Sequence, residues 1–219
     1  MSGKIRIRFS KTGRAKYISH LDLMATMRRA MIRAGLELAY SEGFNPHPYM
    51  SIALPLSVGS SSVCELMDVG ITYDISPDGL SRRINKVLPE GLKILDVYPP
   101  EWKFNYISWV EIRGLLYYDT GAPSGVVERL TERFAEERIV ISKKTKSGIS
   151  DIDISKYFRD INFQQSGEVI MSARISAQNP SINPENLMGA LYGEYKTLMP
   201  DFHDFTRIEI FDKNMNLFK

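Results

Sequence analysis

Lys4-Ile5-Arg6-Ile7-Arg8-Phe9 alternates basic and apolar residues without a break. Successive side chains of a β-strand point to opposite faces, so this run predicts a half-buried strand. Ile5, Ile7 and Phe9 would face the core, with Lys4, Arg6 and Arg8 forming a basic outer face. Downstream, Ser19 opens a helix over residues 19–34, with Leu23, Met27, Ala30 and Met31 at helical spacing and Gly35 as its stop. Residues 36–40 and 49–55 read as strands around an irregular loop, and 63–73 continues the sheet. Ser76-Pro77-Asp78 offers an N-cap followed by proline for a second helix. A strand over 92–97 closes the unit.

The second half repeats the order. Residues 107–117 predict a strand, 124–136 a helix, 139–142 with 149–154 a hairpin, and 169–175 another strand. Asn183-Pro184-Glu185 reuses the cap-then-proline device, and 205–211 is the last strand. Pro99-Pro100-Glu101 marks the junction. The expected fold is therefore α+β, two tandem ferredoxin-like (βαββαβ) units over residues 1–100 and 101–219.

The net charge of +2 hides a strong asymmetry. Residues 1–33 hold nine basic side chains (Lys4, Arg6, Arg8, Lys11, Arg14, Lys16, Arg28, Arg29 and Arg33) against one acid, Asp22, a local charge of +8. With 43% hydrophobic and 25% charged residues the composition is that of a folded globular protein. No apolar run is long enough to span a bilayer, and the basic start has no signal-like core, so a cytoplasmic, membrane-free protein is expected. One cysteine, Cys64, excludes an internal disulfide and an iron–sulfur cluster held by several thiolates of this chain.

Ser41-Glu42-Gly43-Phe44-Asn45-Pro46-His47-Pro48 is the most unusual local run, because two prolines restrict the backbone on both sides of one imidazole. In a right-handed β-α-β unit, the turn after strand one, the start of helix one and the loop after strand two meet at one end. Lys11, Arg14, Lys16, His20, Asn45 and His47 are thus expected to converge there, beside helix N–H groups that favour anions, and with Ser19, Arg6 and Arg8 they are the candidate anion- or RNA-binding residues of this half. Lys143, Lys144 and Lys146 form the corresponding basic loop of the second half. Two basic ends in tandem suit an extended polyanion. The bland alternatives are a Ser19–Asp22 capping box and a solvated face made by Arg28, Arg29 and Arg33. No zinc spacing, phosphate-loop motif or G-x-S-x-G elbow appears, so no metal and no cofactor of its own are expected.

Ile5-Arg6-Ile7-Arg8-Phe9-Ser10-Lys11-Thr12-Gly13, Ile18-Ser19-His20-Leu21-Asp22-Leu23, the run 40–48, and Ala53-Leu54-Pro55-Leu56 with Gly59 and Glu65 together resemble the opening of the radical-SAM-linked protein family. Ala25 and Thr26 depart from it, standing where that family more often carries an arginine. The resemblance implies a radical SAM protein as partner, often in a setting of ribosome and RNA metabolism. Such an enzyme needs three cluster cysteines, which this chain lacks. The expected role is a non-catalytic accessory or substrate-recognition subunit binding RNA, a ribonucleoprotein or another polyanion. The alternatives are a metal-independent RNA-processing enzyme using His20 and His47 as acid and base, and a protein–protein interaction module.

Overall fold

The computed structural model describes residues 3–73, 76–145 and 148–219. It is a mixed α+β chain with two compact units, one reaching to Phe104 and the other formed by Asn105–Phe218. Among the described residues no helix is long and apolar enough to cross a membrane.

The first unit contains β1 (Gly3–Lys11), a 3₁₀ turn (Gly13–Tyr17), α1 (His20–Arg33), β2 (Met50–Ile52), β3 (Ser61–Ile71), α2 (Leu80–Asn85) and β4 (Leu92–Tyr98). Its strands lie in the order β4-β1-β3-β2, each antiparallel to its neighbours. Ile5, Ile7 and Phe9 pair in register with Val69, Met67 and Glu65, and the apolar members join Leu23, Met27, Ala30 and Met31 of α1 in one core. Ser19 caps α1 as expected: its Oγ accepts from the Asp22 N–H at 3.1 Å and donates to Asp22 Oδ2 at 2.7 Å. Gly35, at φ +78°, takes the left-handed conformation that ends the helix.

The opposite face of β1 corrects the expectation of an exposed basic stripe. Arg6 is 0% exposed. Asp68, 62 residues away, stands opposite it in register and binds it through two hydrogen bonds, and the Phe104 ring lies 4.4 Å from its guanidinium carbon. A long-range carboxylate and an aromatic face replace the water that alternation alone would have predicted. Lys11 is buried too, and its Nζ donates to the Lys16 carbonyl at 3.2 Å.

Three local expectations also change. Residues 36–40 form no strand and pair only through the bridges Leu38–Ile71 and Tyr40–Pro48. The Ser76-Pro77 device does not start α2, whose N-cap is Gly79; Ser76 Oγ instead accepts from Asp78 N–H. Asp78 and Gly79 form a turn, closed by Leu80 N–H donating to the Pro77 carbonyl, so the helix begins only at Leu80.

The second unit contains β5 (Trp109–Tyr117), α3 (Val126–Phe134), β6 (Val140–Thr145), β7 (Gly148–Asp153), β8 (Phe158–Ser166), β9 (Glu168–Ser176), α4 (Pro184–Gly189), a 3₁₀ turn (Gly193–Leu198) and β10 (Phe202–Phe211). Its sheet order is β10-β5-β9-β8, again antiparallel throughout. The predicted hairpin exists as β6–β7 but stands apart as a two-stranded sheet. The strand beside β9 is β8, which sequence reading missed. Phe163 is its one buried residue, so it lacks the alternation that announces a strand. Asn183-Pro184 does open α4, with a full capping box between Asn183 and Asn186.

Candidate functional site

The clamped loop is an extrusion from a broken strand. With Leu38 opposite Ile71, an uninterrupted strand would put Tyr40 opposite Val69, but Met50 stands there. Ten residues are therefore pushed out of the sheet edge. Gly70 makes this possible: a Cβ there would come within 2.9 Å of Tyr49 Cβ.

Ser41 and His47 close the loop. The Ser41 N–H donates to the His47 carbonyl at 2.9 Å, and the His47 N–H donates to Ser41 Oγ at 3.1 Å. Ser41 Oγ also meets His47 Nδ1 at 2.9 Å. That contact fixes the ring and leaves Nε2 as the nitrogen available to a ligand. Glu42, Gly43, Phe44, Asn45, Pro46 and His47 are all exposed, Phe44 completely so.

Beside the loop lies a concavity of about 480 Å³, bordered by Lys4, Ala39, His47, Tyr49, Ser51 and Asp68 among others. Asp68 is its buried anchor. Its Oδ1 accepts from Arg6 Nε at 2.7 Å, and its Oδ2 accepts from Arg6 Nη2 at 3.0 Å and from Lys4 Nζ at 2.8 Å. Across β1 from Arg6 stands Tyr98, whose hydroxyl burial pushes above its ordinary pKa, partly offset by the charges of Arg6 and Arg8.

The predicted convergence of His20 with His47 does not occur. The loop precedes β2 and lies level with Gly3 and Lys4, because Gly3 pairs with Ile71 and Lys4 with Gly70. The 3₁₀ turn and the start of α1 follow Lys11 at the far end of β1, about 26 Å away along the strand. Lys11, Arg14, Lys16, Ser19 and His20 therefore belong to that far end, while Asn45 and His47 belong to the loop. What meets the turn is the segment before β3, through Gly59 N–H donating to the Lys16 carbonyl at 2.9 Å. His20 and Arg14 are exposed there, Lys16 is half-buried, and Ser19 serves its cap.

A different set of cations lies on the two helices, which pack on the Ile5, Ile7 and Phe9 face of the sheet, opposite Arg6 and Asp68. The helix α1 carries Arg28 and Arg29 and runs back from the far end, with Arg33 in its last turn, before the chain rejoins the sheet at Leu38. The helix α2 follows the end of β3 at Ile71 and carries Arg82 and Arg83, with Lys86 behind. All six are exposed. Arg33 donates to the Val87 carbonyl at 2.8 Å and Arg83 to the Ala34 carbonyl, lacing the two helices at their ends. Asp22 is the one acid on either helix. From sequence alone Arg28, Arg29 and Arg33 read as a solvated face, and Arg82, Arg83 and Lys86 do not stand out. The adjacent pair Arg82-Arg83 and the acid-free helix were the available signal.

In the second unit Lys143 lies in β6 rather than a loop, and its Nζ donates to the Ser181 carbonyl at 3.1 Å. Lys144 is on the same strand, and Lys146 lies outside the described residues. His203 Nε2 contacts Glu185 Oε2 at 2.9 Å, an ion pair when the ring is protonated.

A family model described as "Uncharacterized protein conserved in bacteria (DUF2344)" matches residues 4–184. No curated protein matches the chain. Among solved structures, an unknown protein from Galdieria sulphuraria aligns over 94% of this chain and 98% of its own, at 11% identity and a TM-score of 0.28. A TM-score of that size does not establish a shared fold.

Proposed function

The chain belongs to the bacterial family DUF2344, and we propose that it is a non-catalytic recognition subunit that holds RNA or another polyanion for a radical SAM partner. The observation that carries this reading is the cationic set on and just after α1 and α2: Arg28, Arg29, Arg33, Arg82, Arg83 and Lys86, all exposed, on helices that together contain one acid. An acid-poor array of guanidinium groups gives phosphates many partners at little desolvation cost. The radical SAM partner rests on the sequence resemblance over residues 4–65, and the lone Cys64 leaves cluster chemistry to that partner.

The same proposal treats each unit as a ferredoxin-like repeat. The shared orders β4-β1-β3-β2 and β10-β5-β9-β8 support it, with β6–β7 as an insertion into the second copy. The RNA-processing alternative loses its catalytic pair, because one phosphate cannot reach both His20 and His47 from opposite ends of β1.

Salt-dependent binding of short single-stranded RNA tests the reading. Wild-type affinity should fall steeply with salt, and Arg28→Ala with Arg82→Ala should weaken binding for all sequences alike. Absence of any salt-sensitive RNA binding, with partner capture surviving nuclease, would instead favour a protein-interaction module.

A further inference from the structure

The ion group beneath the clamped loop leaves one of its cations at the surface. Asp68 supplies one negative charge and accepts from two cations, Arg6 and Lys4. Arg6 is buried and takes the carboxylate in two parallel bonds, whereas the Lys4 side chain is 55% exposed and borders the concavity. Asp68 holds the ammonium in place through one of its three donors without discharging it. Around the same concavity stand Tyr49, 55% exposed, and the imidazole of His47, tied through Nδ1 to Ser41. Its volume of about 480 Å³ lies in the range of small-ligand sites.

We infer that this concavity is a nucleotide subsite. Lys4 takes a phosphate, the rings of Tyr49 and His47 offer their faces to a base, and His47 Nε2 is left to bond its edge or the sugar. A bare anion would use only Lys4, and an uncharged ring only the aromatic residues. A nucleotide uses both, and base–aromatic stacking tolerates any sequence. The inference rests on the polyanion reading and takes it to the single-nucleotide level on the face of β1 opposite the helices. The chemistry is common to a free nucleotide and to one residue of an RNA.

Modification of the three histidines by diethyl pyrocarbonate, read by mass spectrometry, separates the outcomes. A nucleoside 5′-monophosphate should protect His47 and leave His20 and His203 reactive, while inorganic phosphate or the bare nucleoside protects far less. Lys4→Gln should weaken that protection by about tenfold or more, the loss expected for one charge-assisted hydrogen bond, and Lys4→Arg should restore much of it. Tyr49→Ala should weaken it and Tyr49→Phe should not. Protection by a single-stranded oligonucleotide at lower concentration than the monophosphate identifies RNA as the source, and the reverse order identifies the free nucleotide. Equal protection of all three histidines, no protection at all, equal protection by an acidic peptide, or protection that survives both Lys4→Gln and Tyr49→Ala overturns the subsite. The polyanion reading fails separately: RNA binding could vanish from the salt titration while the monophosphate still shields His47. Conversely, RNA bound with wild-type affinity by both variants would sink the subsite and spare that reading.

Discussion

Arg6 and Asp68 meet in register across β1 and β3, the guanidinium donating from Nε and Nη2 to the two carboxylate oxygens at 2.7 and 3.0 Å. Both residues are buried, whereas Lys4, the second cation on Asp68, is largely exposed. Removing one partner of a buried, doubly hydrogen-bonded ion pair is strongly destabilising, so Asp68→Ala should cost about 3–5 kcal/mol. Lys4→Ala should stay within about 1 kcal/mol, as for other exposed pairs. Urea denaturation of the two variants checks the contrast, and similar small losses would contradict it.

Ser41→Ala removes the acceptor of the His47 N–H and the partner of Nδ1 together. Because the loop is exposed, global stability should change by no more than about 1.5 kcal/mol. Amide exchange at His47 should quicken while β3 stays protected. Unchanged exchange at His47 would mean that the prolines alone hold the loop.

At Gly70 the limit is space. A methyl group there meets Tyr49 Cβ at 2.9 Å and Ala39 Cβ at 3.4 Å. Gly70→Ala should destabilise the first unit by about 1–3 kcal/mol through overpacking and shift the NMR signals of the loop residues. A variant with a wild-type melting temperature would show that the extruded segment yields freely.

The two cap-then-proline sites should respond differently. Asn183→Ala breaks a capping box and should cost about 1 kcal/mol. Ser76→Ala loses only a turn hydrogen bond to Asp78, and its melting curve should nearly overlay that of the wild type. Equal losses would restore Ser76 as a helix cap.

Asp153 predicts an acid-side dependence. Its carboxylate accepts from the backbone N–H of Ser155 and of Ile139, and these bonds hold its pKa below the ordinary carboxylate value. A depressed folded-state pKa contributes stability above the unfolded value, near pH 4, and loses it as pH falls through the folded value. The stability gap between wild type and Asp153→Asn should thus be full at pH 6 and close progressively below about pH 4. A gap independent of pH between 6 and 2 would reject this.

Legibility followed locality. The capped start of α1, its buried stripe, its glycine stop and the cap-then-proline start of α4 all depend on residues within a few positions of one another, and each could be read directly. β8 could not, because an edge strand with one buried residue has no periodic pattern. The hairpin β6–β7 was visible, but nothing local says whether a hairpin joins the main sheet or stands beside it. Arg82 and Arg83 were equally visible as residues, yet their place beside α1 depends on a contact 49 residues long in sequence.

By itself the sequence determined that residues 4–9 form a strand, that Ser19 starts a helix, and that His47 sits between two prolines in a restrained loop. These are consequences of dihedral restriction, side-chain alternation and capping, all acting over short range. Only the tertiary structure decided that Arg6 turns inward, because its partner Asp68 arrives on a strand formed more than 60 residues later. It alone decided which end of β1 receives His47. Pairing of Leu38 with Ile71 and of Met50 with Val69 extrudes ten of the eleven residues between, and the register of a third strand is a long-range choice that no local propensity encodes.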